Sequence, residues 1–298
     1  MEIKLINNEK INNSNRAKEI HFIEIMVDKI ENIDEELAEK FLRDILKQNI
    51  HLDFTQETWN DIKEIIIDKL NKNNKYPKGY LKNDGMIIPL IANYIIEKIF
   101  NVELLSYSEN IDDIEIVPKG FDALFLDSDL SIFLCEHKTS IAKLSEEGIS
   151  NKFIEGYKSI FCTDSSIISK ISTIKSRIDN ESKRNKEIIK SNLNELIHNR
   201  KNLVDIIDKE CAKFNICCVT KNANKLILDT IVSNINKKFT KEEYCKKNRK
   251  ICYKAEECKR IEKIKVVNII VITIPEDFEI VNFYENIVNK IEEKINER

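Results

Sequence analysis

Five glycines and four prolines in 298 residues leave this chain few places to turn sharply. Glycine supplies the positive φ that tight turns require and proline pre-sets their first dihedral. A many-stranded sandwich, which needs a turn about every 8–12 residues, is therefore disfavoured, and long helices combined with a few strands are favoured. A chain of this length buries a large core, in one elaborated domain or two smaller ones. Charged residues at 33% and hydrophobic ones at 42%, both spread along the chain, argue against wholesale disorder.

Residues 1–80 read as a mostly helical N-terminal region. Leu37, Phe41, Ile45 and Leu46 lie at helical spacing between Asp34 and Gln48. Thr55 is placed to cap a helix running to about Asn71, with Trp59, Ile62, Ile66 and Leu70 on one side. Tyr76-Pro77-Lys78-Gly79 breaks the pattern and marks the expected boundary with a second unit, 81–298. There, Met86 to Phe100 predicts a helix with Pro89 in its first turn. Ile114 to Val117, Phe121 to Asp127 and Ser131 to Lys138 predict a three-stranded meander. A helix is expected from Ile141 to about Phe161, and a long polar helical insertion over about 165–213. Strands follow at Asn215 to Thr220 and Lys265 to Ile274, then a terminal amphipathic helix from about Asp277. The expected class is α/β (α+β), a mixed sheet flanked by helices.

The chemically informative stretch runs from Gly120 to Lys138. Asp122 interrupts one apolar run, and Glu136 and Lys138 close another, after Ile132-Phe133-Leu134-Cys135. Charges at the ends of buried strands are costly unless paired or bound to a metal. Glu136 and Lys138, two apart on a strand, share a face. Asp122 joins them if it lies opposite Glu136, a register that sets Asp127 against Ser131 and leaves Ser128-Asp129-Leu130 as the hairpin loop. Two carboxylates with a backbone carbonyl between them suit a hard cation such as magnesium, which activates water for phosphodiester hydrolysis. A neighbouring ammonium orients that water and stabilises developing charge. The plainer alternatives are that Asp122 caps a turn and that Glu136 and Lys138 form an exposed ion pair.

Asp122, thirteen residues, then Glu136-His137-Lys138 at the end of an apolar strand resembles the PD-(D/E)XK nuclease signature. More narrowly, Lys119-Gly120-Phe121-Asp122-Ala123 with Leu134-Cys135-Glu136-His137-Lys138 resembles the nuclease subunit of the Hachiman anti-phage system, the HamA family. The match covers about twenty residues, with looser agreement in element order from about 80 onward. The resemblance implies a restriction-endonuclease-like core, with Asp122, Glu136 and the His137 carbonyl as ligands to Mg2+ (or Mn2+) and Lys138 as the catalytic lysine. It also implies DNA as substrate and a helicase partner. Many such enzymes add an acid from the helix before the sheet; Glu97 and Asp84 are the candidates.

His137 alternates to the face opposite Glu136 and is expected to be packed rather than catalytic. Cys217 and Cys218 are expected in the core. Cys245, Cys252 and Cys258 match no zinc spacing. From Lys237 to Lys265 twelve Lys/Arg face five Glu, with Phe239, Tyr244 and Tyr253 interleaved. That mixture suits either a surface tracking a nucleic-acid backbone or a solvated helical face. No run approaches the roughly 18 apolar residues of a membrane span. The N-terminus lacks a signal-peptide layout, and the scattered cysteines are not a disulfide framework, so a cytoplasmic location is expected. The alternative to an enzyme is a non-catalytic nucleic-acid- or partner-binding subunit with a nuclease-like fold.

Overall fold

The computed structural model describes residues 2–11, 19–29, 33–46, 55, 57–64, 80–107, 122–128, 131–139, 143–161, 187–191, 194, 212–221, 228–239 and 266–297. The elements in chain order are β1 (Glu2–Ile11), β2 (Glu19–Lys29), α1 (Glu35–Leu46), α2 (57–64), α3 (Tyr80–Phe100), β3 (Glu103–Tyr107), β4 (Ala123–Leu126), β5 (Ile132–Thr139), α4 (Glu146–Phe161), β6 (Ala212–Lys221), α5 (Leu228–Phe239), β7 (Val266–Ile274) and α6 (Ile280–Asn296). The seven strands form one mixed sheet in the order β1-β2-β7-β6-β5-β4-β3. Its four middle strands, β2, β7, β6 and β5, run parallel, while β1 and the pair β4 and β3 are antiparallel additions at either side. The protein is thus an α/β structure with a mixed sheet flanked by helices.

Parallel strands are covered on both faces, and these read accordingly as near-continuous apolar runs. On one face Ile23, Ile25, Phe125, Phe133, Cys135, Cys217, Val219, Ile270 and Ile272 pack into a single cluster with side chains of α1, α2, α3 and α6. Helix α3 has nine consecutive buried residues, 88–96. It has no polar stripe because it lies between the sheet and the outer helices. On the other face Leu134, Ile216, Cys218, Ile269 and Val271 are buried, as are Ile149, Phe153 and Ile154 of α4 and Ile231 and Ile235 of α5. Phe125 and Phe133 meet edge to face, with centroids 5.9 Å apart. Truncating either to alanine in so dense a core costs about 3–5 kcal/mol.

Local signals account for several boundaries. Asp34 caps α1 by accepting from Leu37 N–H at 2.9 Å, and the Tyr94 hydroxyl of α3 donates to its other oxygen. Thr55 accepts from Thr58 N–H at 3.3 Å and its carbonyl from Trp59 N–H at 2.9 Å, so it starts the helix as expected. Helix α3 stops at Asn101, whose φ of 51° is the left-handed C-terminal cap, and β3 starts two residues later.

Three expectations are corrected. The N-terminal region opens with strands, not helices: β1 and β2 pair antiparallel, and β2 continues the parallel sheet beside β7. The alternation Ile23, Ile25, Val27, all buried, is the strand pattern, whereas the helical spacing begins only at Leu37. Helix α3 starts at Tyr80, so Pro89 lies in its interior and not in its first turn. The first strand of the meander is β3, since the chain enters the sheet directly after the α3 cap. Ile114 to Val117, the boundary at 76–79, most of the insertion over 165–213, and residues 240–265 of the basic run lie outside the described residues. Among the described residues no helix is long and apolar enough to cross a membrane.

Candidate active site

β4 and β5 pair with Ala123 opposite Cys135, Leu124 opposite Leu134, Phe125 opposite Phe133 and Leu126 opposite Ile132. This is the register predicted from the sequence. Asp127 N–H donates to the Ser131 carbonyl at 3.1 Å and Ser131 N–H to Asp127 Oδ1 at 2.8 Å, closing the three-residue loop. In this register Phe125 and Phe133 are direct partners on one buried face, and a one-residue slip would turn them to opposite faces.

Asp122 differs from the expectation in one respect. It sits in a bend just before β4, and its N–H donates to the carbonyl of Cys135, the residue that Ala123 faces, at 2.8 Å. Two residues against one bend the strand and release the next side chain from strict alternation. The Asp122 carboxylate takes up the next donor of β5, accepting from His137 N–H through Oδ2 at 2.8 Å. The carboxylate thus caps the end of the β4–β5 ladder, while Gly120 and any turn there lie outside the described residues. N–H and C=O of one strand residue point to the same edge. The His137 carbonyl therefore lies on the edge of β5 that Asp122 approaches.

Glu136 and Lys138 share the face beneath α4. Glu136 is 1% exposed, and its Oε1 receives Lys138 Nζ at 2.6 Å. The ion pair is formed, but its Glu136 end is enclosed, where the plainer reading had both ends exposed. The Lys138 side chain remains 22% exposed. A buried pair of this kind is weak evidence for stability, because desolvating two charges offsets most of their attraction. α4 lies directly on the pair through Gly156. A Cβ built at Gly156 would stand 2.8 Å from Ile216 Cγ2, 3.4 Å from Glu136 Cγ and 3.5 Å from Lys138 Cγ. Glycine inside a helix costs up to about 1 kcal/mol relative to alanine, so its presence here reflects that close approach.

The opposite face of the same strand is built differently. His137, 7% exposed, is hydrogen-bonded through Nε2 to Asn93 Oδ1 of α3 at 2.7 Å. Burial lowers its pKa, but hydrogen bonding and attraction to Cys217 on β6 more than reverse this, leaving the imidazole above its ordinary value. Burial raises the Cys217 thiol; hydrogen bonds with Cys135 and His137 outweigh it and draw the thiol below its ordinary value. Cys135 is pushed well up by burial, then by hydrogen bonding to Cys217. Asn268 Nδ2 donates to Asn215 Oδ1 at 2.7 Å and Asn215 Nδ2 to the Leu134 carbonyl at 3.0 Å, extending the polar row across the sheet. His137, Cys217 and Cys218 are core residues, as expected.

The candidate helix-borne acid Glu97 serves a structural role. Its Oε1 accepts from Leu104 N–H at 2.8 Å and its Oε2 pairs with Lys40 Nζ at 2.6 Å, tying α3 to β3 and α1. For Asp84 only its place in α3 is described. Sequence reasoning passed over Asn93 and Gly156. Each carried a signal: a lone amide in the apolar run from Ile87 to Ile96, and one of five glycines within a helix.

Among the described residues no group of three or more His, Cys, Asp or Glu side chains comes together to hold a metal. Asp122 reaches the His137 N–H through Oδ2, and the Glu136 carboxylate of the preceding residue pairs with Lys138. Two carboxylates of this kind, were they to share an ion, would suit magnesium, which keeps several waters, better than calcium or zinc. No model of a known protein family matches the chain, and no curated protein matches it.

Proposed function

We propose that this protein is a metal-dependent DNA nuclease with a PD-(D/E)XK-type site. The observation that carries the proposal is the β4–β5 hairpin. Its register brings Asp122 to the amide of the one residue between Glu136 and Lys138. The mixed sheet supports it as well: a helix, a three-stranded meander, a helix and a parallel strand follow one another over 80–221, in agreement with the element order of the resemblance.

In this reading the Asp122 and Glu136 carboxylates and the His137 carbonyl hold Mg2+ or Mn2+, which when bound polarises a phosphodiester and acidifies a water. Lys138, partly open to solvent beside Glu136, offers donors to the attacking water and to the charge that develops on phosphorus-bound oxygens. α4 and the apolar face around Ile216 exclude bulk solvent from Glu136 and strengthen each electrostatic contact there. The hydrogen bond from His137 N–H fixes Asp122 at the strand end before any substrate arrives. By the same resemblance the chain acts with a helicase partner in anti-phage defence, and a helicase gene beside this one would support that part.

Purified protein incubated with duplex and single-stranded DNA should cleave in Mg2+ or Mn2+ and stop on chelation. Lys138→Ala should be inactive while retaining its folded circular dichroism. Undiminished cleavage by folded Lys138→Ala and Glu136→Ala removes these residues from the mechanism. Discrete fragments instead of smears would indicate a stand-alone sequence-specific endonuclease.

The second reading, a non-catalytic binding subunit, is favoured by one observation: the third acidic side chain is missing from the site among the described residues. It predicts salt-sensitive DNA affinity without turnover in any divalent metal.

A further inference from the structure

We infer that Gly156 is a positioning residue for the Glu136–Lys138 pair: the bare backbone of α4 at this point holds the Glu136 carboxylate dry and fixed against β5 and β6. The helix meets the sheet here without a side chain between them. Three side chains converge on the place a Cβ would occupy, and they are the two charged residues of the site and the Ile216 that β6 sets opposite Glu136. Ile216 is 1% exposed and sits in close-packed surroundings, so its branch methyl has little room to yield. An added methyl must therefore lift α4 by several tenths of an ångström or displace Ile216. Either movement opens the cover over Glu136.

The second glycine of α4 makes the contrast. A Cβ at Gly148 meets Leu144 Cδ2 at 3.3 Å and Ser145 Oγ at 3.6 Å, flexible atoms at the helix start and remote from the site. Gly148→Ala therefore tests the loss of a helical glycine alone, and Gly156→Ala tests the close approach.

The inference rests on the nuclease reading for its catalytic consequence but not for its structural one, and two readouts separate them. The first is carbodiimide labelling of carboxylates, read by mass spectrometry, with the 66% exposed Glu276 side chain as internal reference. Gly156→Ala should raise labelling of Glu136 severalfold over the wild type, whereas Gly148→Ala should leave it unchanged. Adding Ile216→Leu, which keeps the volume but removes the branch methyl, should restore protection. The second is cleavage. Gly156→Ala should lower kcat by up to about 100-fold, the effect of an ångström-scale misplacement, with KM for DNA unchanged, and Ile216→Leu should restore part of it.

Unchanged Glu136 labelling in folded Gly156→Ala overturns the inference, whatever the enzyme does to DNA. Increased labelling in a chain that never cleaves DNA sinks the nuclease reading and leaves the positioning role standing. If Gly156→Ala does not fold, the pair with Ile216→Leu decides. A folded pair with protected Glu136 supports the inference, and an unfolded pair overturns it.

Discussion

The two faces of β5 place polar groups in the core by opposite means. On the α3 side, His137 is hydrogen-bonded to Asn93 of α3 and lies beside Cys217 of β6, whose thiol is drawn below its ordinary value. On the α4 side, Glu136 receives Lys138 of its own strand, two residues on, and its side chain lies under α4 at Gly156 beside Ile216. The first arrangement spreads its hydrogen bonds over three elements and locks the sheet to α3. The second sets a carboxylate and an ammonium of one strand side by side under α4, with the Lys138 end partly open to solvent. A pair that carries a desolvation cost of this kind is weak evidence for stability. It is suited to acting on something that enters from the open end.

The contrast breaks if the two faces respond alike. The largest expected effect is on the α4 side. Glu136→Gln should reduce DNA cleavage by about 100- to 1,000-fold, the scale of losing one preorganised charge contact, while unfolding free energy falls by less than the ~3–5 kcal/mol of a fully buried pair, because the Lys138 side chain is 22% exposed and its freed ammonium can reach water. Urea unfolding followed by circular dichroism measures the second quantity. A large stability loss with little catalytic change would invert the assignment of the two faces.

On the α3 side the outcomes should be reversed. His137→Ala should destabilise by about 2–4 kcal/mol, combining a cavity with an orphaned amide on Asn93. Cleavage per folded molecule should stay close to wild type, because only the backbone of His137 belongs to the site. Asn93→Ala should follow with a loss of about 1–3 kcal/mol from one buried hydrogen bond. The smallest effect sharpens the picture further. Cys217→Ser should alter stability by about 1 kcal/mol, since it keeps a donor and acceptor of similar size beside His137.

The sequence makes the central hairpin legible because its information is local. Two apolar runs flank Ser128-Asp129-Leu130, and a three-residue loop is the turn that sets Asp122 toward Glu136, a two-residue loop the one that would turn it away. The parallel strands β6 and β7 and the terminal helix are equally plain, each a β-branched run or a regular apolar stripe. β2 is not, because its partner β7 lies far along the chain: Glu19 is set against Val266. No local pattern announces that pairing, and the acidic residues around it resemble a helix surface. The bend at Asp122 is hidden for a related reason. Which residue ends a strand depends on competition for one carbonyl, that of Cys135, and not on side-chain alternation. Gly156 is visible in the sequence as a helical glycine, but its target is a tertiary contact.

The central claim is that Asp122, Glu136 and the His137 carbonyl together hold one divalent ion. Calorimetric titration with Mn2+ tests it without relying on DNA cleavage. The wild type should bind one Mn2+ per chain, and both Glu136→Gln and Asp122→Asn should weaken that binding by more than the roughly tenfold that even an outer-shell partner contributes. Wild-type affinity in both variants, or a folded wild type that binds no Mn2+, would contradict it.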